Sequence, residues 1–264
     1  MHELSDVTIE HHGAVAVLTL NRPDSLNAFN SGLRMDFMHA ISRINADHNV
    51  RVAILTCAGR ACAGADLAEG FTGEGAAGGQ QTEAMLKTEY KPSVMAIHEA
   101  PKPWIAAVNG AAAGIGSAFA MACDLAVMAE DAYLYQAFGA IGLIPDGGAT
   151  WQLVRTVGRK RAYELIVSGE KVSAARCLEL GLCNRVVAAE QLLEQTLSWA
   201  STLAEKAPLA MHYAKKSLAF AEEHDLASVI SHEAALQHIC FDSEDAKEGV
   251  TAFFEKRAPV WQGR

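Results

Sequence analysis

Small residues in one stretch, residues 104–124, could form a site for negative charge. The pattern predicts a buried strand over 104–108, a turn over 109–115, and a helix from about Gly116 to Ala122. Gly110, Gly114 and Gly116 leave the backbone bare where a side chain would obstruct a ligand. The first N–H groups of a helix are unpaired and lie at its positive end. Such a turn therefore suits either a phosphate or a developing oxyanion.

Nucleotide-binding and hydrolase motifs fit this turn poorly. Gly114 and Gly116 supply G-x-G, but Phe119 stands at the third glycine position of a dinucleotide-binding fingerprint. No Gly-Lys-Ser/Thr follows, which excludes a P-loop. Ser117 follows a tight turn, but the G-x-S-x-G of a nucleophile elbow is absent.

A second turn of small residues, AGRACAGADL, follows a predicted strand over 52–56. Two backbone N–H groups from two such loops can converge on one carbonyl oxygen and form an oxyanion hole for an acyl group. That arrangement requires small residues because the ligand must lie against the backbone. The alternative, which the residues alone leave open, is that glycine and alanine here only let a helix pack close to a sheet.

The elements that must position these turns alternate between strands and helices in the first two thirds of the chain. Strands are predicted over 7–11 and 14–20, joined at His12-Gly13, and a helix over 31–46. Helices alone are predicted from residue 189 onward, over 189–206, 208–222, 226–240 and 243–256. The glycine-rich segment 71–79 is interpreted as a mobile lid. The fold class is therefore α/β with a C-terminal helical region.

Composition excludes several classes of function. The 264 residues include 22 Lys and Arg against 31 Asp and Glu, a net charge of −9, which argues against nucleic acid or an anionic membrane as the main partner. No apolar run reaches the roughly 18 residues of a membrane-spanning helix, and the N-terminus lacks an export signal, so we expect a cytoplasmic protein. The six cysteines and ten histidines form no C-x-x-C or H-x-x-x-H pair, so we expect neither a disulfide framework nor a metal site.

Five sequence blocks resemble the crotonase (enoyl-CoA hydratase/isomerase) family, in order and at the family's spacing. They are NRPDSLNAF, GRACAGADL, AVNGAAAGIGSAFAMACDLAV, GLIPDGG and SEDAKEGVTAFFEKR. The resemblance implies a crotonase-type spiral of ββα turns, with residues 1–188 as the spiral core and 189–264 as a C-terminal helical trimerisation region. It also implies a homotrimer or dimer of trimers that binds an acyl-CoA thioester, with coenzyme A as part of the substrate and no separate cofactor.

Carried over position by position, the resemblance implies that the N–H groups of Ala65 and Ile115 are the two oxyanion donors. Family members usually have glycine at the second position, and isoleucine there should narrow the pocket. The resemblance also assigns residues to substrate binding, two of them in a tail that would close over the CoA from a neighbouring subunit. These residues are Asn27, Ala28, Ala63, Gly64, Asp66, Leu67, Gly110, Gly114, Phe138 and, in the tail, Phe253 and Lys256.

Two departures from the family pattern bear on the reaction. The hydratases use two glutamates to add water to a double bond, and the matching positions here are Ala118 and Phe138. The remaining titratable group is Asp146, which either acts as the base of an isomerase or only forms a P-D-G-G turn. Apolar surroundings that include Phe138 and Ile141 should raise its pKa.

We therefore expect an isomerase that moves a double bond or opens a ring epoxide through a thioester enolate. The blocks are most similar to the ring-1,2-epoxyphenylacetyl-CoA isomerase and enoyl-CoA isomerase subgroup, of fatty acid metabolism and phenylacetate catabolism. The alternatives are an enoyl-CoA hydratase, a hydrolase or ring-cleaving enzyme of the same fold, and a non-catalytic acyl-CoA-binding protein.

Overall fold

Two β-sheets form the centre of the protein in a computed structural model that describes residues 3–71 and 78–264. The larger, six-stranded sheet has the order β1-β2-β3-β5-β7-β10, and the smaller has the order β4-β6-β8-β9. The strands are β1 (Val7–His12), β2 (Val15–Leu20), β3 (Val52–Cys57), β4 (Ala61–Cys62), β5 (Trp104–Val108), β6 (Ala111–Ala113), β7 (Leu125–Ala129), β8 (Tyr133–Tyr135), β9 (Lys171–Ser173) and β10 (Arg185–Val187).

The central strands of the larger sheet are apolar on both faces. Val15 and Val17 of β2 pack into one buried cluster, whereas Ala16 and Leu18 of the same strand pack into another on the opposite face. Helices cover both faces of such a sheet, which is why β2, β3 and β5 are continuous apolar runs. Only β1 and β2 pair antiparallel in this sheet, through the hairpin predicted at Gly13, which has φ +61°.

The chain makes ββα turns, as predicted. The pairs β3–β4, β5–β6 and β7–β8 each place their first strand in the larger sheet and their second in the smaller one, before helix follows. The expectation that residues 109–115 form a turn was partly wrong, because β6 pairs in parallel with β4 and β8. A strand of three alanines has no polar/apolar alternation and cannot be recognised from its own sequence.

Eleven α-helices occur in the described residues. They are α1 (Ser31–Ala46), α2 (Leu67–Phe71), α3 (Gly79–Met85), α4 (Lys91–His98), α5 (Ile115–Ala122), α6 (Ala149–Ser168), α7 (Ala174–Leu180), α8 (Leu192–Ala204), α9 (Pro208–Ala221), α10 (Leu226–Asp242) and α11 (Glu244–Glu255). A π-helical turn, Leu86–Tyr90, joins α3 to α4, and Gly158 kinks α6. The segment interpreted as a lid falls largely on residues 72–77, outside the described residues.

The C-terminal third is helical, as predicted. Helix α8 packs against β3 and β5 of the larger sheet, while α9, α10 and α11 pack mainly on one another. The division at residue 188 and the trimerisation role of the last helices stay predictions. No helix in the described part of the chain is long and apolar enough to cross a membrane.

Candidate active site

Two glycines bring the predicted loops into contact. A Cβ on Gly114 would lie 3.2 Å from the Cα of Gly64, and a Cβ on Gly64 would lie 3.9 Å from the backbone nitrogen of Ile115. Gly114 also has φ +52°, a conformation that side chains disfavour. Larger residues would therefore push the loops apart. Phe29 anchors the first loop, because its N–H donates to the Gly64 carbonyl (3.0 Å) and its carbonyl accepts from Asp66 N–H (3.1 Å).

The N–H groups of Ala65 and Ile115 have no hydrogen-bond partner among the described residues. Both residues line the same cavity. Ile115 is the first residue of α5, so its N–H is one of the unpaired groups at the positive end of a helix. The pair is suited to receive one carbonyl oxygen that gains negative charge.

A buried chain of hydrogen bonds fixes the peptide that carries the second N–H. The Ser117 hydroxyl donates to the Gly114 carbonyl (2.7 Å), and the Gln136 side-chain amide donates to that hydroxyl (2.9 Å). Ser117 and Gln136 are buried. Because C=O and N–H point in opposite directions across a trans peptide, holding the Gly114 carbonyl fixes the direction of the Ile115 N–H. The sequence drew attention to Ser117 only as a possible nucleophile, and nothing in it indicated Gln136 or the hydrogen bond between them.

The cavity beyond the two N–H groups has a volume of about 460 Å³. Its walls are largely apolar and include Met85, Phe138, Ile141 and Leu143. Of the residues assigned to substrate binding from the resemblance, five line the cavity along with the donors Ala65 and Ile115. A sixth, Phe138, lines it as well, and the other five are Ala63, Gly64, Asp66, Leu67 and Gly114.

Asp146 lines the same cavity. Burial raises the pKa of its carboxyl to about 6, as predicted. Its Oδ1 is buried without a hydrogen-bond partner in the described part of the protein. Such a carboxyl can hold or release a proton near neutral pH.

The side chain of Ile115 supports the Asp146 loop as well as lining the cavity. Gly147 has φ +59°, and a Cβ on it would lie 2.2 Å from Cδ1 of Ile115 and 3.0 Å from Cβ of Ala118. Ala118 is fully buried beneath this loop, and Phe138 lies close to Gly114. Neither alanine nor phenylalanine carries an ionisable group, so neither side chain can transfer a proton.

Arg34 and Tyr90 also line the cavity, and sequence reasoning missed both. The Arg34 guanidinium donates to Glu89 (2.6 Å), to Glu69 (3.1 Å) and to the Phe29 carbonyl (3.1 Å), so its charge is paired. The Tyr90 hydroxyl is buried without a partner among the described residues. Tyr90 ends the π-helical turn, a feature that the helical pattern of residues 80–99 does not reveal and that is frequent at functional sites.

Three residues assigned to substrate binding do not line the cavity. The Asn27 amide is fully buried and donates to the carbonyls of Ala58 (2.8 Å) and Ala61 (2.7 Å), so it joins two loops. Ala28 lies beside it, with its carbonyl bonded to Arg22. A Cβ on Gly110 would lie 1.9 Å from the Arg60 carbonyl oxygen, so that glycine allows two backbones to approach.

The two tail residues, Phe253 and Lys256, do not line the cavity either. Phe253 is 79% exposed near the end of α11, and Lys256 follows that helix at φ +55°. Asp66 lines the cavity and also caps α2, since its Oδ1 accepts from Ala68 N–H (3.2 Å). The described residues contain no cluster of three or more metal-ligating side chains.

Known proteins match almost the whole chain. The sequence profile described as enoyl-CoA hydratase/isomerase matches residues 10–264. A probable enoyl-CoA hydratase from Rhodobacter capsulatus is 39% identical over 251 residues, and the 1,2-epoxyphenylacetyl-CoA isomerase of Escherichia coli is 36% identical over 254 residues; each match covers 95% of both chains. The crystal structure of an enoyl-CoA hydratase from Bacillus anthracis superposes with a TM-score of 0.92 at 32% identity and covers 98% of this chain and 100% of that one.

Proposed function

The chain belongs to the enoyl-CoA hydratase/isomerase family, and from this premise we propose that it is an acyl-CoA isomerase. The observation that supports the isomerase over the hydratase is the unpaired state of Asp146 among the described residues, since the two other carboxylates of the cavity, Asp66 and Glu69, form ion pairs with Arg22 (3.3 Å) and Arg34 (3.1 Å). The Asp146 carboxyl faces an apolar cavity with a pKa of about 6, while Ala118 and Phe138 occupy the positions expected for a hydratase's glutamates. One carboxyl can take a proton from one carbon and return it to another, whereas the two-glutamate addition of water needs a second.

In the proposed reaction, the thioester oxygen accepts hydrogen bonds from the N–H groups of Ala65 and Ile115. Asp146 removes a proton from a carbon of the acyl group, and the electron pair of that C–H bond moves toward the thioester to give an enolate. The two N–H groups and the positive end of α5 stabilise the negative oxygen. Asp146 then returns the same proton to another carbon, so that a double bond moves. With a ring epoxide, the electron pair of the enolate instead forms a C=C bond and breaks a C–O bond, and the alkoxide oxygen that is released takes the proton from Asp146.

Coenzyme A is part of the substrate in this proposal, and no separate cofactor takes part. Because Phe253 and Lys256 do not line the cavity of their own chain, we propose that they contact the CoA of a neighbouring subunit in a homotrimer or a dimer of trimers. We also propose that the protein is cytoplasmic, with neither nucleic acid nor a membrane as a partner.

Replacing Asp146 tests the assignment. In Asp146→Asn, the conversion of a 3-enoyl-CoA to a 2-enoyl-CoA should fall by about 10²–10⁴-fold, the usual contribution of a positioned base. Binding of a saturated acyl-CoA should be nearly unchanged, because the N–H groups remain. An Asp146→Asn enzyme that isomerises at the wild-type rate would overturn the mechanism.

A hydratase is the second candidate, and the name of the Rhodobacter capsulatus relative favours it. Hydration of crotonyl-CoA faster than isomerisation of 3-enoyl-CoAs would establish it. A non-catalytic acyl-CoA-binding protein predicts tight binding of the thioester without exchange of its α-protons in D₂O. Measuring that exchange with short, long and aromatic acyl-CoAs separates these candidates.

A further inference from the structure

Two polar side-chain atoms in the cavity wall are buried without hydrogen-bond partners among the described residues. One is Oδ1 of Asp146, the proposed base, and the other is the hydroxyl of Tyr90. The proposed mechanism assigns no role to Tyr90. An unpaired buried hydroxyl lowers the stability of a protein, so its presence in a ligand cavity needs an explanation.

The ring of Tyr90 is buried against two other aromatic rings. Tyr90 is 2% exposed, and its ring meets the ring of Phe29 at a centroid distance of 6.2 Å and an interplanar angle of 62°. The ring of Phe119 also lies at 6.2 Å and packs against that of Phe29. The π-helical turn that ends at Tyr90 leads directly into α4, which has Pro92 in its first turn. The side chain is therefore not free to swing its hydroxyl into water.

The Tyr90 hydroxyl is a hydrogen-bond donor at neutral pH. Burial raises the pKa of the phenol, the nearby Arg34 guanidinium opposes the rise because its charge and its hydrogen bonding favour the phenolate oxygen, and the charges of Asp146 and Glu89 raise the pKa further. Because a guanidinium can only donate, the proton of the Tyr90 hydroxyl has no acceptor among the described residues. Two of these groups, Asp146 and Arg34, line the cavity with Tyr90, which places the hydroxyl end of the ring toward the cavity wall. The carboxylates of Glu69 and Glu89 already accept hydrogen bonds from Arg34.

We propose that the Tyr90 hydroxyl donates a hydrogen bond to an oxygen atom of the acyl group itself, so that the substrate is an acyl-CoA with a hydroxyl, keto or epoxide oxygen beyond the thioester. This inference rests on the proposed function, which assigns the thioester oxygen to Ala65 and Ile115. A plain hydrocarbon chain fits the apolar walls but offers no acceptor to Tyr90. An oxygen-bearing chain pairs the buried donor and leaves the rest of the chain against Met85, Phe138 and Leu143.

Calorimetry with non-reacting ligands tests the proposal without requiring turnover. The ligands are hexanoyl-CoA and its 4-oxo and 5-oxo derivatives, with phenylacetyl-CoA and a ring-hydroxylated phenylacetyl-CoA as a second pair. The wild-type protein should bind at least one oxygen-bearing ligand about tenfold more tightly than its plain counterpart. Tyr90→Phe should lose that preference and bind hexanoyl-CoA as tightly as the wild type or more so. Tyr163→Phe, at an exposed tyrosine of α6, is the matched control and should keep the preference.

Two results would overturn the inference. One is a wild-type protein that prefers none of the oxygen-bearing ligands, which can be measured whatever the stability of the variant. The other is a Tyr90→Phe protein that loses the same factor for plain and oxygen-bearing ligands. The proposed function fails separately, since it depends on the turnover of Asp146→Asn rather than on ligand preference.

Discussion

Ile115 combines two tasks in one residue. Its N–H has no partner among the described residues and lines the cavity, while its Cδ1 packs where a Cβ on Gly147 would lie. The oxyanion donor and the loop of the proposed base are therefore in direct contact. The expected narrowing of the pocket by isoleucine is only part of its effect, because the side chain also limits the positions open to Asp146.

The raised pKa of Asp146 predicts the pH dependence of the reaction. A base must be deprotonated in the free enzyme, and burial raises the pKa of this carboxyl to about 6. Below that pH, kcat/KM for isomerisation should fall about tenfold per pH unit, and above it the value should reach a plateau. A pH–rate profile with a 3-enoyl-CoA measures this.

The residual rate of Asp146→Asn provides the control, because its kcat/KM should not fall below pH 6. If kcat/KM of the wild-type protein instead began to fall only near pH 4, the ordinary pKa of an aspartate, the result would contradict the burial of this group.

At the scale of elements, the N-terminus of α5 presents the Ile115 N–H as a hydrogen-bond donor in a fixed direction. The Ser117 hydroxyl and the Gln136 amide form a chain of hydrogen bonds that ends on the carbonyl of the Gly114–Ile115 peptide. Hydrogen bonds in such a chain polarise one another, which strengthens the N–H at the far side of the peptide. The strand β8 and the helix α5 thus act together through buried side chains.

Removing the Ser117 hydroxyl should destabilise the transition state more than the enzyme–substrate complex. In Ser117→Ala, kcat for isomerisation should fall about tenfold while KM changes little, because the charge on the thioester oxygen grows only in the enolate. Steady-state kinetics with one 3-enoyl-CoA give both values.

Thr196→Val in α8 is the matched control for Ser117→Ala. Thr196 is also fully buried, and its hydroxyl donates to a helix carbonyl, that of Leu192 (2.7 Å). This variant should lower the free energy of unfolding without changing kcat. If Ser117→Ala also lost stability but kept an unchanged kcat, the Ser117 hydrogen bond would have a structural role only.

At the scale of the whole molecule, the last helices present large apolar side chains to solvent. Phe241 of α10 and Phe253 and Phe254 of α11 are 73%, 79% and 76% exposed in the single chain. Exposed apolar groups of this size in one region are typical of protein interfaces. The proposed contact of the tail with the CoA of a neighbouring subunit and this exposed surface lead to the same expectation, a self-association through the C-terminal helices.

Sedimentation equilibrium should therefore give a mass three or six times the 28.2 kDa of one chain. Phe254→Asp should shift the population toward smaller species and weaken acyl-CoA binding. Tyr163→Asp, at a comparably exposed tyrosine of α6, should leave the mass unchanged. A wild-type protein that sediments as a monomer would contradict both the assembly and the proposed role of the tail.

Several elements were correctly predicted because their signals are local. The apolar runs of β2, β3 and β5 mark strands covered on both faces, and α1 begins and ends as its helical spacing indicated. The small residues around Gly64 and Gly114 marked a close approach of two backbones, which the structure confirms. The raised pKa of Asp146 followed from its apolar neighbours along the chain.

The sequence by itself determined the alternation of strands with helices and the helical end, because these depend on periodicity and residue type over short distances. The ββα order and the place of Asp146 followed from the resemblance of five sequence blocks to a known family. Only the tertiary structure decided that, among the described residues, the Ala65 and Ile115 N–H groups lack partners and the Tyr90 hydroxyl proton lacks an acceptor. The same holds for the hydrogen bonds by which Ser117 and Gln136 hold one peptide. Whether a polar group is paired depends on atoms that lie far away in sequence. The three alanines of β6 are a strand for the same reason, since their partners lie in β4 and β8.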